Sequence, residues 1–345
     1  MKALRFRSFL LLVVLALIGA ACGGDDGGEA DAVSFAPTAP LPIYWPYYYI
    51  AEPLGFYEDE NIAIEFENVQ TAVQQSLLAG RLTFTGTGLD YIPQAPTLEE
   101  DPPKWFMNVD RYLWVMVTFA DSPVTSAADL RGGNIGINEP HDTLDAEFLM
   151  GAAGVPPGEY ELIPVGEDRA ALQQLEEGSI DAFVTAGAVS VAALEDFTDR
   201  ELRIIENASA ETYYNVGSML TVDRLENDRD LAVRFGRAVA RGMIFTWENP
   251  DAAGRILYEM FPEAAESEEQ AIKLIKAGNE ANRASYDARG AMELAVYQQM
   301  VDEHAELGLI DETYDASILF TNELIEDIWD FDIEEAVEEA RNYQG

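Results

Sequence analysis

Arg169-Ala170-Ala171-Leu172-Gln173-Gln174-Leu175-Glu176-Glu177-Gly178-Ser179-Ile180-Asp181-Ala182-Phe183-Val184-Thr185-Ala186-Gly187 reads as a helix, a glycine stop and a short apolar strand that ends in a small-residue turn. The same logic occurs earlier in the chain. Thr71 and Gln74 have capping-box spacing, a helix runs from there to Gly80, and Leu82-Thr83-Phe84-Thr85-Gly86-Thr87-Gly88 is a strand entering a glycine-rich turn. Two units of like build imply two lobes, each a mostly parallel sheet flanked by helices.

Working outward, Val33 to Ala36 reads as a first strand, and Pro37-Thr38-Ala39-Pro40-Leu41-Pro42 forbids regular structure after it. A loop is expected to carry Tyr44-Trp45-Pro46-Tyr47-Tyr48-Tyr49 away from the sheet into a short helix from Ile50, ended by Gly55. Ile62 to Phe66 alternates as a strand with one buried face. Arg111 to Phe119 and Asn134 to Ile137 read as buried strands on either side of a turn at Asp129-Leu130-Arg131-Gly132-Gly133. Beyond Tyr214 the period becomes helical over 228–247, 251–260, 268–283 and 291–307, while Val216 to Val222 keeps strand content and marks the return crossing. The expected organisation is a first lobe over 33–117, a second over 118–215, and a return with C-terminal helices over 216–345.

The N-terminus has its own reading. Lys2, Arg5 and Arg7 precede an apolar run from Phe9 to Ile18 that is too short to span a bilayer, and Gly19-Ala20-Ala21 leads to Cys22, the single cysteine. This pattern predicts an export signal over 1–21, an acylated Cys22 that anchors the mature protein to a membrane, and a polar, glycine-rich tether over 22–32. The formal charge is −42. Removing the three basic signal residues leaves 18 Lys and Arg against 63 Asp and Glu, or −45. Such a surface repels nucleic acid and anionic lipid. With no cysteine past Cys22, neither a disulfide framework nor a thiolate metal site is available to the folded region.

In order and spacing, Ala51-x-x-x-Gly55-Phe56-Tyr57, Leu78-Ala79-Gly80-Arg81-Leu82-Thr83-Phe84, Asp129 to Gly136 and Gly178-Ser179-Ile180-Asp181-Ala182 resemble the substrate-binding proteins of ABC importers. The branch is that of thiamine-pyrimidine-precursor, sulfonate, taurine and nitrate receptors. Phe320-Thr321-Asn322-Glu323 resembles the pyrimidine-precursor members in particular. The resemblance implies an α/β, two-lobed periplasmic-binding-protein type 2 fold, a small-molecule ligand, a permease partner, a monomer, and no cofactor. A pyrimidine-synthesising enzyme shares that fold, but the lysine that holds its pyridoxal phosphate is replaced here by Gly86-Thr87-Gly88, and its cysteine cluster is absent near Tyr213 to Ser218.

In a two-lobed α/β protein the ligand sits where loops leave the carboxyl ends of strands. The candidates from the first lobe are Tyr44, Trp45, Tyr47, Tyr48, Asp90 and Tyr91. Those from the second are Asn138, Glu139, His141, Asp142, Thr185 and Ala186, with Tyr213, Tyr214 and Asn215 beside the return crossing. Aromatics suit a flat heterocycle, and carboxylates and amides pair with its ring donors. Trp45 is the expected stacking residue. Packing of the following helix is the alternative role for this aromatic run. Asp142-Thr143-Leu144-Asp145 also reads as a helix start, so Asp142 has capping and ligand contact as open roles. Either role compensates the helix dipole and works against a sulfonate or nitrate at that terminus. No phosphate-binding Gly-x-x-x-x-Gly-Lys, nucleophile–base pair or metal-ligand spacing is present, and His304 in a polar helix suggests no function. A binding protein, not an enzyme, is the expectation.

Overall fold

The computed structural model describes residues 29–38, 42–69, 73–88, 91–98, 101–110, 114–138, 142–205 and 217–345. The signal segment, Cys22 and most of the tether lie outside these residues. The first sheet contains β1 (Asp31–Pro37), β2 (Ile62–Phe66), β3 (Phe84–Thr87) and β4 (Lys104–Asn108). The second contains β5 (Val115–Phe119), β6 (Asn134–Ile137), β7 (Glu161–Pro164), β8 (Ala182–Thr185) and β9 (Leu202–Ile205), and β10 (Gly217–Leu220) returns to the first.

The strand orders, β2-β1-β3-β10-β4 and β7-β6-β8-β5-β9, are the same arrangement twice. In each sheet the strand entered just after a crossing, β10 or β5, runs antiparallel to its neighbours, and the other four run one way. A chain leaving the carboxyl end of β4 enters β5 at the carboxyl edge of the second sheet, and the return from β9 to β10 does the same in reverse. The two carboxyl edges are therefore brought face to face beside both crossings, which is where α/β folds bind ligands.

The first crossing lies between Asn108 and Val115, ahead of the expected break at 117/118, because β5 belongs wholly to the second sheet. The 20-residue helix Arg229–Glu248 covers one face of the first sheet, where Phe35 stacks on Tyr48 at 4.5 Å and Phe84 on Phe235 at 4.4 Å. Another buried cluster joins Val73 and Trp105 of the first lobe to Ile135 and Phe148 of the second through Met300 on the helix Leu294–Glu306. The C-terminal helices thus brace both lobes.

Pro46 starts a helix, Pro46–Ile50, within what was expected to be a loop. Proline at the first helical turn forgoes only an amide that would be unpaired there. All five residues of this helix are buried. It lies against the long helix at Gly242, where any Cβ would be 2.2 Å from the Tyr47 carbonyl oxygen. His304 is buried too, its ring 5.1 Å from that of Phe148 and its Nδ1 2.6 Å from the Met300 carbonyl, so its helix does not present it to solvent.

Phe320 to Glu323 has a structural task. Phe320 bridges to Trp105 beside β4, the Thr321 amide donates to the Trp105 carbonyl at 2.8 Å, and the Asn322 side chain bonds both backbone groups of Met292.

Candidate ligand-binding site

The end of β4 is clamped before the chain crosses. Asn108 pairs with Gly217 of β10, donates its amide to the Gly290 carbonyl at 2.9 Å, and accepts the Ser285 hydroxyl on Oδ1 at 2.9 Å. Gly290 is required there. Its φ is +76°, and a Cβ would lie 2.8 Å from the Asn108 carbonyl oxygen. Two residues after this clamp stands Asp110, only 1% exposed. Among the described residues nothing donates to its Oδ1, and burial pushes its carboxyl well above the usual range.

Asp110 opens on a crevice between the lobes. Ile43, Tyr44 and Tyr47 form one wall, Val189 of the helix Gly187–Leu194 comes from the second lobe, and Gly278, Asn279 and Asn282 come from the helix Glu268–Ala281 and its end. As the lobes stand, there is room for about one water. Tyr47 is raised far above a normal phenol, by burial first and by the charge of Asp110 second, while its hydroxyl bonds Asn282. None of the described residues lining the crevice is Lys, Arg or His.

Tyr44 crosses to the second lobe, where its hydroxyl lies 2.6 Å from Ser190 Oγ. Burial, with a smaller contribution from Asp168, pushes this phenol up to about 12. Asp168 itself organises the carboxyl edge of the second sheet. It accepts the Asn138 side-chain amide at 2.6 Å and the Thr185 hydroxyl at 2.8 and 2.9 Å. Asp142, 1% exposed, accepts the Asn138 backbone amide at 2.9 Å and so closes the turn into its helix Asp142–Ala152. Around the rim, Asp196 receives Gln270 and Lys273, each at 2.9 Å, and Arg169 pairs with Glu266.

Of the sequence candidates, Tyr44 and Tyr47 line the crevice, while Asn138, Asp142 and Thr185 share the second-sheet edge. Tyr48 and Tyr91 are fully buried, their hydroxyls on Ser218 and on the Pro103 carbonyl, each at 2.8 Å. Trp45 is 5% exposed and packs over Gly86, where a Cβ would sit 2.6 Å from the indole ring. These three side chains are core in this arrangement, and of the aromatic run only Tyr44 and Tyr47 are among the described residues lining the crevice. Ala186 immediately precedes the helix Gly187–Leu194. Asp90, Glu139, His141, Tyr213, Tyr214 and Asn215 lie outside the described residues.

Asp110, Asp168, Ser190 and Asn282 were not among the candidates. Asp168 was discoverable, since it opens a helix directly after β7. Asp110 had no local signal, because a lone acid beside Arg111 belongs to no motif and reads as an ordinary solvated pair of charges at the start of a strand.

The profile of the NMT1/THI5-like family matches residues 44–253. Among proteins of curated function, none matches the sequence. Among solved structures, a putative periplasmic sulfonate-binding protein SsuA of an ABC transporter from Methylobacillus flagellatus is similar. It has 14% identity and a TM-score of 0.63 over 87% of this chain and 94% of its own. The periplasmic aliphatic sulphonate-binding protein SsuA from Escherichia coli aligns at 14% identity and a TM-score of 0.61, over 86% and 99%. The desulfurization enzyme DSZB aligns at 13% identity and a TM-score of 0.57, over 86% and 98%. With its two like-ordered sheets in the periplasmic-binding-protein arrangement and a family match across most of both lobes, this chain belongs to the NMT1/THI5-like family.

Proposed function

We propose that the protein is an exported, lipid-anchored solute receptor that closes its two lobes over a small molecule and delivers it to an ABC-importer permease. The observation that carries this reading is the crevice itself. It lies at the facing carboxyl edges of the two sheets, and both lobes and the first crossing contribute side chains to it. A solute larger than water requires the lobes to part. The rim contacts allow that, because exposed pairs such as Lys273–Asp196 and Arg169–Glu266 each contribute only about 0–1 kcal/mol. Ligand contacts to both lobes would then shift the population toward the closed form.

The ligand class favoured is a flat heterocycle with hydrogen-bond donors, such as a thiamine pyrimidine precursor. Tyr44 and Tyr47 supply aromatic surface, Asp110 a buried carboxyl oxygen with no donor among the described residues, and no cation is present among the described lining residues to hold an anion. The second reading is a sulfonate-type anion, favoured by the sulfonate-binding proteins of similar fold. An enzyme on the same fold is a third, with the desulfurization enzyme as its precedent.

The test is mass spectrometry of any solute released on denaturing gently purified protein, followed by thermal shift. A pyrimidine should raise the melting temperature by mass action, and taurine, alkylsulfonates and nitrate should do much less. A shift with those anions and none with heterocycles would reverse the ligand class, and turnover of a bound compound would establish the enzyme. Anchoring is checked separately. Cys22→Ser should move the protein from the membrane to the soluble fraction, and identical partitioning of the two forms removes the anchor.

A further inference from the structure

We propose that ionic strength sets the separation of the two lobes: mutual repulsion between two acidic bodies parts them in dilute salt, and screening lets a short-range polar seam draw them together. It rests on the receptor reading above only for what the closed lobes would hold.

The charge is divided unevenly but with one sign. The second lobe, 115–205, carries 4 Arg against 17 Asp and Glu, or −13. The two stretches of the first lobe, 31–110 and 217–345, carry 13 Lys and Arg against 41 Asp and Glu, or −28. Like-charged bodies repel, and net charge this far from zero works against the compact arrangement.

What holds against that repulsion is local. Lys273 of the first lobe meets Asp196 of the second at 2.9 Å, Arg169 of the second pairs with Glu266 of the first, and the Tyr44 hydroxyl lies 2.6 Å from Ser190 Oγ. The charged partners are exposed, and exposed pairs hold weakly.

The two forces differ in range, and range decides which one salt removes. The screening length is about 30 Å at 0.01 M, about 10 Å at 0.1 M and about 3 Å at 1 M. In dilute salt the charges of one lobe therefore act across the other, while in concentrated salt they reach only their nearest neighbours. At 2.6 and 2.9 Å, the seam contacts are shorter than all of these lengths, so screening takes the repulsion first.

Parting also has a pivot. Met300 of the helix Leu294–Glu306 shares one apolar cluster with Trp105 of the first lobe and Ile135 of the second, and Gly151 meets Leu307, whose Cδ2 lies 2.1 Å from where a Cβ would stand. Apolar contact of this kind does not depend on screened charge. The second lobe swings on it while the polar seam opens.

The experiment uses the Cys22→Ser chain, in which an introduced cysteine is the single thiol. Ser190, 3% exposed, stands at the seam. Labelling of Ser190→Cys by uncharged N-ethylmaleimide should slow at least about tenfold from about 0.01 M to about 1 M NaCl, since a buried thiol reacts through the open population. Val33→Cys, at a position 1% exposed in β1, reads global unfolding, and its rate is divided out. Adding Glu161→Gln, Asp199→Asn and Glu201→Gln, which neutralise exposed acids of the second lobe, should slow labelling in the dilute salt and leave it unchanged in the concentrated one. In the chain with native Ser190, the radius of gyration from small-angle scattering, extrapolated to zero protein concentration, should contract over the same interval. A corrected rate that stays constant or rises with salt overturns the proposal, as does a triple variant that labels like its parent in dilute salt or a radius that does not contract. Released solute judges the receptor reading separately. A salt-independent rate in a protein that carries solute removes this proposal alone, and a salt-dependent rate in one that carries none removes the receptor reading alone.

Discussion

The Tyr44 hydroxyl of the first lobe and the Ser190 hydroxyl of the second lie 2.6 Å apart, so a direct polar contact joins the two lobes beside the crevice. With its phenol pushed up to about 12, Tyr44 stays a neutral hydroxyl over any ordinary working range. Tyr44→Phe and Ser190→Ala should each lower apo stability by about 1 kcal/mol, and the double variant should lose little more than either. Hydrogen exchange in the helix Gly187–Leu194 should rise in all three. Strict additivity in a double-mutant cycle would show that the two hydroxyls do not act as a pair.

Asp110 makes stability depend on pH in a defined sense. Its folded-state pKa is raised by burial, so its ionisation is penalised only in the folded protein. Below about 4, the unfolded value, both states hold the proton and no penalty exists. As pH rises from there toward the folded pKa, stability is lost. Asp110→Asn should therefore raise the apo melting temperature at pH 7 and give little gain at pH 4. Thermal denaturation of both proteins across that interval decides it; a gain larger at pH 4 contradicts the assignment.

Trp45 packs as a core side chain, and its truncation should be expensive. Trp45→Ala should cost about 3–5 kcal/mol of folding stability in urea denaturation. Gly86→Ala should also destabilise, because its Cβ would meet the indole at 2.6 Å. A stable Trp45→Ala protein with weakened ligand binding would return Trp45 to the site.

His304 predicts the opposite pH slope from Asp110. Burial lowers its pKa below 6.5, only partly offset by the bond to the Met300 carbonyl and by Glu303. The unfolded chain then takes up a proton first, so the stability that His304 contributes is present above about 6.5 and lost as pH falls toward the folded value. The difference in melting temperature between wild type and His304→Gln should shift against wild type from pH 7.5 to 5.5. A constant difference would mean the ring is not buried neutral.

How much of this was legible without coordinates can be seen from particular segments. The helix-stop-strand pattern at Arg169 to Thr185 is local, and the structure places a helix over Asp168–Glu177 and β8 over Ala182–Thr185. Backbone propensity and a glycine stop need no distant partner, so such units can be read from the chain. The resemblance carried by ordered fragments from Ala51 to Ala182 foretold two lobes. The Pro46–Ile50 helix was missed although Pro46 is itself a start signal, because five aromatic and apolar residues show no amphipathic period when every side is covered.

Sequence alone determined the alternation of elements and the acidic composition, since these follow from periodicity and residue content. Tertiary structure alone decided which of the candidate residues face a crevice. Tyr44 and Tyr47 line it, whereas Tyr48 is taken by Ser218 and Trp45 by Gly86. Asp110 became buried because Asn282, Ser285 and Gly290, remote in the chain, fold over the end of β4. Burial is a property of what arrives from elsewhere, and no local pattern around an acid records it.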